Sequence, residues 1–65
     1  MTPAELKQAM IDEIPVTHNG IDYKRVTGII YRKRGNAAII QAELLDKNGR
    51  SFTYAAPKKV LRLKK

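Results

Sequence analysis

The chain has 65 residues, no cysteine, and 13 lysines and arginines against 6 aspartates and glutamates, which gives a net charge of +7 at pH 7. A chain this short buries only about 60% of the surface that its unfolded form exposes, so a catalytic cleft with several desolvated polar groups is not expected. Without cysteine, a disulfide framework and a thiolate metal site are excluded, which favours a reducing cytoplasm.

The N-terminal residues carry neither the basic segment nor the apolar run of a signal peptide, and no apolar run is long enough to span a membrane. We therefore expect a soluble, unprocessed, cytoplasmic chain that does not contact a membrane.

Positive charge is concentrated after residue 22. Residues 1–22 hold one lysine and four carboxylates, a net charge of −3, whereas residues 23–65 hold twelve cations and two carboxylates, a net charge of +10. Such segregation favours polyanionic partners, because summed positive charge attracts them and supplies affinity that does not depend on sequence.

The first element is a helix over about residues 2–13. Thr2 as N-cap and Glu5 three residues later form a capping box, with Pro3 at the first helical position. Pro15 ends the helix, because a residue before proline is disfavoured in the α region. The i, i+3, i+4 spacing gives one face of the helix a narrow apolar stripe, and this face carries Leu6, Ala9, Met10 and Glu13.

Two strands around Asn19-Gly20 form a predicted type I′ hairpin. The second strand continues over about residues 22–33 with a bulge at Gly28, which decides whether Tyr31 points inward with the core or outward with Lys33. After the turn Arg34-Gly35-Asn36, a strand over about residues 37–45 follows. It places Ile39 on one face, with the helix as a possible cover, and on the other face Ala38, Ile40, Ala42 and Leu44.

A turn at residues 46–49 leads to a strand at residues 51–55, with Phe52 and Tyr54 on one side. We expect these two rings and Tyr23 to be buried in the core. Pro57-Lys58-Lys59 is predicted as a turn or a single 3₁₀ turn, followed by a last strand in which Leu61 and Leu63 alternate with Arg62.

These elements predict a mainly β fold with one N-terminal α-helix. Five short antiparallel strands favour a small five-stranded antiparallel SH3-like barrel, because a flat sheet of this size leaves one face and two edges bare. The barrel would occupy about residues 15–65 of a single domain. An OB-like barrel fits less well, since it normally needs a longer chain.

Several segments resemble small uncharacterised proteins carried on bacterial conjugative transposons and prophages. They are Pro15-Val16, Asn19-Gly20-Ile21, Tyr23, Ala42-Glu43-Leu44-Leu45-Asp46 and Pro57-Lys58-Lys59-Val60. The resemblance spans most of the chain and implies an SH3-like fold and a mobile-element setting. These are turn and core positions, so it carries over no functional residue, and fold similarity alone does not assign a function.

The sequence contains no residue pattern that is typical of a catalytic site or a metal site. The chain has one histidine, His18, beside a predicted turn, and one serine, Ser51, so a nucleophile with its base and orienting group is not expected. The carboxylates lack calcium-loop spacing, and the isolated glycines do not form a phosphate-binding loop. We expect no enzyme activity, no metal, no cofactor and no small-molecule substrate.

The basic residues form four groups, and the densest lies at a predicted hairpin tip beside Tyr31. The candidate nucleic-acid-binding residues are Lys24, Arg25, Tyr31, Arg32, Lys33, Arg34, Lys58, Lys59 and Arg62, with Lys64 and Lys65 in the last group. A basic tip beside an aromatic ring can hold phosphates and stack a base. The alternative is a charged surface that only keeps the protein soluble, but a net charge of +10 in 43 residues exceeds what solubility needs, so nucleic-acid contact is favoured.

The leading hypothesis is a non-enzymatic basic module that contacts nucleic-acid phosphates with low sequence specificity, as an accessory protein of a mobile element. The alternative is a protein–protein adaptor that binds an acidic partner through the barrel surface or an edge strand. We expect a monomer or a weak homodimer, the latter formed by burying Leu6 and Met10 against a second copy.

Overall fold

The computed structural model describes residues 1–63 and contains one helix and five strands. The elements are α1 (Pro3–Ile11), β1 (Val16–His18), β2 (Ile21–Arg34), β3 (Ala37–Asp46), β4 (Phe52–Ala55), a 3₁₀ turn (Pro57–Lys59) and β5 (Leu61–Arg62). The strands form one antiparallel sheet in the order β4-β3-β2-β1-β5. The mainly β class with one helix is confirmed. Within residues 1–63 no pairing joins β4 to β5, so the sheet is not closed.

The start of α1 follows the predicted capping box. The Glu5 N–H donates to Thr2 Oγ1 over 3.2 Å, and the Thr2 N–H donates to Glu5 Oε1 over 2.9 Å, with Pro3 at the first helical position. Accepting hydrogen bonds from Thr2 stabilises the carboxylate, so the pKa of Glu5 lies below its ordinary value. The helix therefore begins where the sequence predicts.

The end of α1 comes earlier than the predicted residue 13. The helix ends at Ile11, and the next bonds run from the Glu13 N–H to the Met10 carbonyl and from the Ile14 N–H to the Ala9 carbonyl. These two bonds form a Schellman motif, in which the residue after the C-cap adopts the left-handed conformation. That residue is Glu13, with a φ of 54°, so it is not part of the helical face.

The turns follow the local sequence. Asn19 and Gly20 both have positive φ, as a type I′ turn requires, which confirms that prediction. Gly35 has a φ of 59° at the first central position of the β2–β3 turn, the arrangement of a type II′ turn. The predicted 3₁₀ turn at Pro57–Lys59 is also confirmed.

Strand β2 contains two irregularities in its pairing with β3. One extra residue lies between the Tyr23 and Arg25 pairs and another between the Val26 and Gly28 pairs. Each β-bulge reverses the alternation of faces, so Tyr23, Val26 and Ile29 all face the core at three-residue spacing. The predicted irregularity near Gly28 is present. A Cβ on Gly28 would meet the Glu43 side chain at 3.5 Å, an ordinary contact, so the bulge does not depend on glycine.

The core lies between α1 and one face of the sheet. Its buried residues come from α1, from strands β1 to β4 and from the position between the 3₁₀ turn and β5. They are Leu6, Val16, Tyr23, Val26, Ala42, Leu44, Ala55 and Val60, with Met1, Met10 and Ile29 packed against them. We call this face the core face and the opposite one the outer face. Because Leu6 is fully buried within one copy, it is not accessible for the expected self-association through the helix.

Two predicted core positions are wrong. Phe52 and Tyr54 are paired with Leu45 and Glu43 on the outer face, and they are 52% and 47% exposed. In the last segment Leu61 is also exposed, and Val60 is the residue that lies in the core. The single helix covers only the core face, so aromatic side chains on the outer face stay in contact with water. Ile39 also lies on the outer face, opposite Arg32, away from the helix.

The left-handed residue at the end of α1 gives a stability prediction. Glu13→Gly removes the Cβ that makes a φ of 54° unfavourable, and we expect it to stabilise the fold by about 0.5–1 kcal/mol after the entropy of glycine in the unfolded chain is included. Urea unfolding measures the change. Asp12→Gly is the matched control, because it removes the same charge at a right-handed residue and should destabilise the protein. Equal effects of the two substitutions would contradict this explanation.

Candidate nucleic-acid interface

The candidate interface is the half of the β2–β3 hairpin that includes its turn. We call this half the arm (residues 29–42). Beyond the Ile29–Ala42 pair the ladder continues without a register shift to the Arg34–Ala37 pair. Every residue from 31 to 38 is exposed. Strand β2 has 14 residues and β3 has 10, whereas β1 and β4 have three and four, so the hairpin extends past the strands beside it. The molecule is accordingly 39 Å long and only 23 by 21 Å across.

Strand alternation divides the arm's cations between its two faces. Directly opposed residues in an antiparallel pair share a face. Lys33 therefore lies with Tyr31 on the continuation of the core face, whereas Arg32 and Arg34 lie on the outer face. The sequence left two alternatives for Tyr31, inward with the core or outward with Lys33. In the structure Tyr31 and Lys33 both lie on the continuation of the core face, beyond the core itself. It is 71% exposed.

The positive charge of the arm is not balanced nearby. Residues 24–42 hold five cations and no carboxylate. The ion pair found among residues 1–63 joins Lys47 Nζ to Asp22 Oδ2 over 3.4 Å and involves no arm residue. The cations at the end of the arm, Arg32, Lys33 and Arg34, thus form no ion pair in the described part of the chain and remain free to meet an external anion.

A shallow depression lies at the end of the arm. It is about 410 Å³ in volume and is lined by Tyr31, Arg32, Lys33, Asn36, Ala37 and Ala38. On the β3 side, the residues opposite Lys33 and Arg34 are only Ala38 and Ala37. The small side chains leave the end of the arm slim and its cations unobstructed.

The base of the arm is held by a carboxylate on the outer face. Glu43 Oε1 accepts a hydrogen bond from Thr27 Oγ1 over 2.8 Å, and Glu43 Oε2 accepts one from the Tyr54 hydroxyl over 3.1 Å. These bonds join β2, β3 and β4 where the hairpin leaves the rest of the sheet. The hydrogen bond to Glu43, followed by its negative charge, raises the pKa of Tyr54, and Arg32 lowers it by a smaller amount. Sequence analysis missed this cluster, because only strand register brings its members together.

The other predicted site residues do not lie on the arm. Lys24 is exposed at the first bulge, and Arg25 is half-buried on the outer face opposite Leu45. Both precede the arm along β2. They are separated from Arg32 by the second bulge.

The C-terminal cations lie near the start of α1. Lys58 and Lys59 are exposed in the 3₁₀ turn, and Arg62 is exposed in β5, close enough to Glu5 to contribute to its lowered pKa. The Met1 nitrogen donates to the carbonyls of Pro57 and Val60, which fixes the helix start beside this turn. The structure therefore separates the candidates into three places. Lys64 and Lys65 lie outside the described residues.

Residues 1–63 also contain no grouping of three histidine or acidic side chains that would hold a metal ion. His18 Nδ1–H donates to the Lys59 carbonyl over 3.1 Å, so this ring joins β1 to the 3₁₀ turn. Within the same residues, no helix combines the length and apolar character needed to cross a bilayer.

Comparison with known proteins gives no relative: the chain matches no protein-family model, no curated protein and no solved structure.

The raised pKa of Tyr54 can be measured directly. We expect the pKa of the Tyr54 phenol to lie above its ordinary value, because ionisation removes the proton that Tyr54 donates to Glu43 and places a phenolate beside that carboxylate. The difference in ultraviolet phenolate absorbance between the wild-type protein and Tyr54→Phe isolates its titration. Since the folded chain disfavours this phenolate, the contribution to stability is lost as pH rises above the ordinary tyrosine pKa.

Glu43→Gln tests the cause of that pKa shift, because it removes the charge and should return the Tyr54 pKa towards its ordinary value. Thr27→Val is the control, since it removes the other hydroxyl bound to Glu43 and leaves the carboxylate in place. An unchanged Tyr54 titration in Glu43→Gln would show that the carboxylate is not the cause.

Proposed function

We propose that this chain is a non-enzymatic nucleic-acid-binding module whose arm contacts phosphates with low sequence preference. The observation that carries the proposal is the group Arg32, Lys33 and Arg34 at the exposed end of a two-stranded arm, in a stretch of sequence without carboxylates. Arginine and lysine side chains at such a position can reach a phosphate backbone without first breaking an ion pair within residues 1–63. Phosphate contacts position a protein on nucleic acid but do not read its sequence.

The fold is part of the proposal. We infer a variant of the SH3-like barrel, supported by the strand order, in which β1 lies between β2 and β5, by the bent β2, and by the 3₁₀ turn before β5. The sequence resemblance to small proteins of conjugative transposons and prophages supports an accessory role in a mobile element. The nucleic acid of a bacterial mobile element lies in the cytoplasm, so we infer that the protein acts there.

Counterion release sets the expected size of the effect. Each phosphate contact on duplex DNA contributes about −0.9 to the slope of log affinity against log salt. Three contacts from the arm alone should therefore weaken duplex binding about 40-fold between about 50 and about 200 mM salt. A change of this size is easily distinguished from the unchanged affinity expected if the arm makes no phosphate contact.

The experiment is a fluorescence anisotropy titration of labelled DNA and RNA at several salt concentrations. The variant Arg32→Gln/Lys33→Gln/Arg34→Gln should lose most of the affinity and reduce the salt slope on duplex DNA by about 2.7. Its matched control is Lys7→Gln/Lys47→Gln/Arg50→Gln, which removes the same charge at exposed positions away from the arm. We expect the control to keep most of the slope.

A parallel variant, Lys58→Gln/Lys59→Gln/Arg62→Gln, measures whether the cations beside the start of α1 also contribute. The proposal is overturned if wild-type affinity does not change with salt, or if the arm variant and the control lose the same amount.

A second candidate function is supported by β4. This strand lies at the edge of the sheet, carries no charge, and exposes Phe52 and Tyr54 on the outer face. Uncharged edges with exposed apolar side chains are the surfaces to which a further strand can add. An adaptor function for an acidic protein partner therefore remains the alternative. A pull-down after nuclease treatment that recovers one defined protein, and loses it with Phe52→Lys, would favour it over nucleic-acid binding.

A further inference from the structure

Neither face of the arm is the kind of surface that binds single-stranded nucleic acid. A single-strand platform combines a basic groove with aromatic rings on one surface, so that bases and backbone lie on the same side. On this arm, Tyr31 shares its face with Lys33 only, whereas Arg32 and Arg34 point to the other side. One nucleic-acid strand along either face would leave at least one of the three cations without a phosphate.

Cations on both faces suit a site with phosphates on both sides. We propose that the arm enters the major groove of duplex DNA as a two-stranded ribbon, with its faces towards the two phosphate backbones. This inference rests on the proposed function and names its partner as B-form DNA. Lys33 then contacts one backbone, and Arg32 and Arg34 contact the other.

The dimensions of the arm fit that groove. A β-sheet with its side chains is about 10 Å thick, and the major groove of B-form DNA is about 12 Å wide and admits a two-stranded ribbon. The minor groove, at about 6 Å, is too narrow, and the major groove of double-stranded RNA is too deep and narrow for side chains to read. From Ile30 to Arg34 the arm projects about 14 Å at about 3.4 Å per residue, which exceeds the groove depth of about 8.5 Å.

The side chains between the cations keep the end of the arm slim. Gly35 forms the turn, and Ala37 and Ala38 occupy the positions opposite Arg34 and Lys33. Further back, the Tyr31–Ile40 and Arg32–Ile39 pairs are wider. Asn36 is the only side-chain amide within residues 33–38. Because the three cations are assigned to the phosphates, Asn36 is the one side chain with an amide left at this end to contact base edges, which agrees with low sequence preference.

The test compares a short duplex DNA, one of its single strands and the RNA duplex of the same sequence, using the full chain. Duplex DNA should bind tightest. The arm variant should lower the salt slope by about 2.7 on duplex DNA and by at most about 1.4 on single-stranded DNA, since at most two of its cations reach one strand. On single strands, a loss of about 2.1 would mean that all three cations reach one backbone, and this would overturn groove insertion.

A second substitution tests the fit of the arm in the groove. Ala38→Phe widens the slim end at an exposed strand position where an aromatic residue is well tolerated. We expect it to weaken duplex binding and to preserve or strengthen single-strand binding, because the added ring offers a stacking surface. Ala4→Phe, on the exposed side of α1, is the matched control and should change neither affinity. Unchanged duplex binding in Ala38→Phe would overturn the inference.

Chemical protection identifies the groove. Saturating protein should slow methylation of guanine N7 in the major groove by dimethyl sulfate and leave adenine N3 in the minor groove reactive. Protection of adenine N3 alone would overturn the major-groove assignment. Equal, salt-sensitive, arm-dependent affinity for duplex and single strands would overturn groove insertion while leaving the proposed function intact. Loss of arm-dependent binding to every nucleic acid would overturn both.

Discussion

The pairing of β2 with β3 is the constraint on which the rest of the molecule depends. Two extra residues in β2 change its side-chain spacing from two to three over residues 23–29, and this places Tyr23, Val26 and Ile29 in one core with Leu44 from β3. Regular alternation resumes after Gly28. The first part of β2 therefore contributes to the core, and its last part extends beyond the core into the arm. A change of register within the bulged segment would reverse the faces of every later residue, so the positions of the arm cations depend on the bulges.

Local sequence patterns predicted the features that neighbouring residues determine on their own. Thr2 and Glu5 accept hydrogen bonds from each other's backbone N–H, Pro3 has no N–H that needs a partner, and Asn19-Gly20 accommodates the positive φ of a tight hairpin, in any tertiary context. The exposure of Phe52 and Tyr54 could not be predicted in the same way. Alternation indicates which residues share a face but not whether anything covers that face, and residues 1–63 contain one short helix, which covers one side of the sheet.

The candidate site was predictable in composition but not in form. The run Arg32-Lys33-Arg34 next to a glycine turn indicated a basic hairpin tip. Its projection beyond the core follows from the difference in length between the paired strands β2 and β3 and the strands beside them, β1 and β4, which requires the register of the whole sheet. The absence of carboxylates over residues 24–42 is a sequence feature that agrees with an exposed arm, whereas the placement of Ala37 and Ala38 opposite the cations follows only from the register. The Glu43 cluster at the arm's base left no local pattern.

The choice between binding and solubility depends on where the charge lies. A net charge of +7 is within the magnitude of about 2–8 that keeps a small domain soluble, so the total does not require a polyanionic partner. Solubility alone would be served equally well by cations and carboxylates interspersed over the surface. The chain instead places its carboxylates elsewhere and leaves three adjacent cations repelling one another at the end of an arm that has no core of its own. A two-stranded hairpin is only marginally stable by itself, and that repulsion further destabilises it. Contact with phosphates removes the repulsion, which makes an anion-bound arm more stable than a free one.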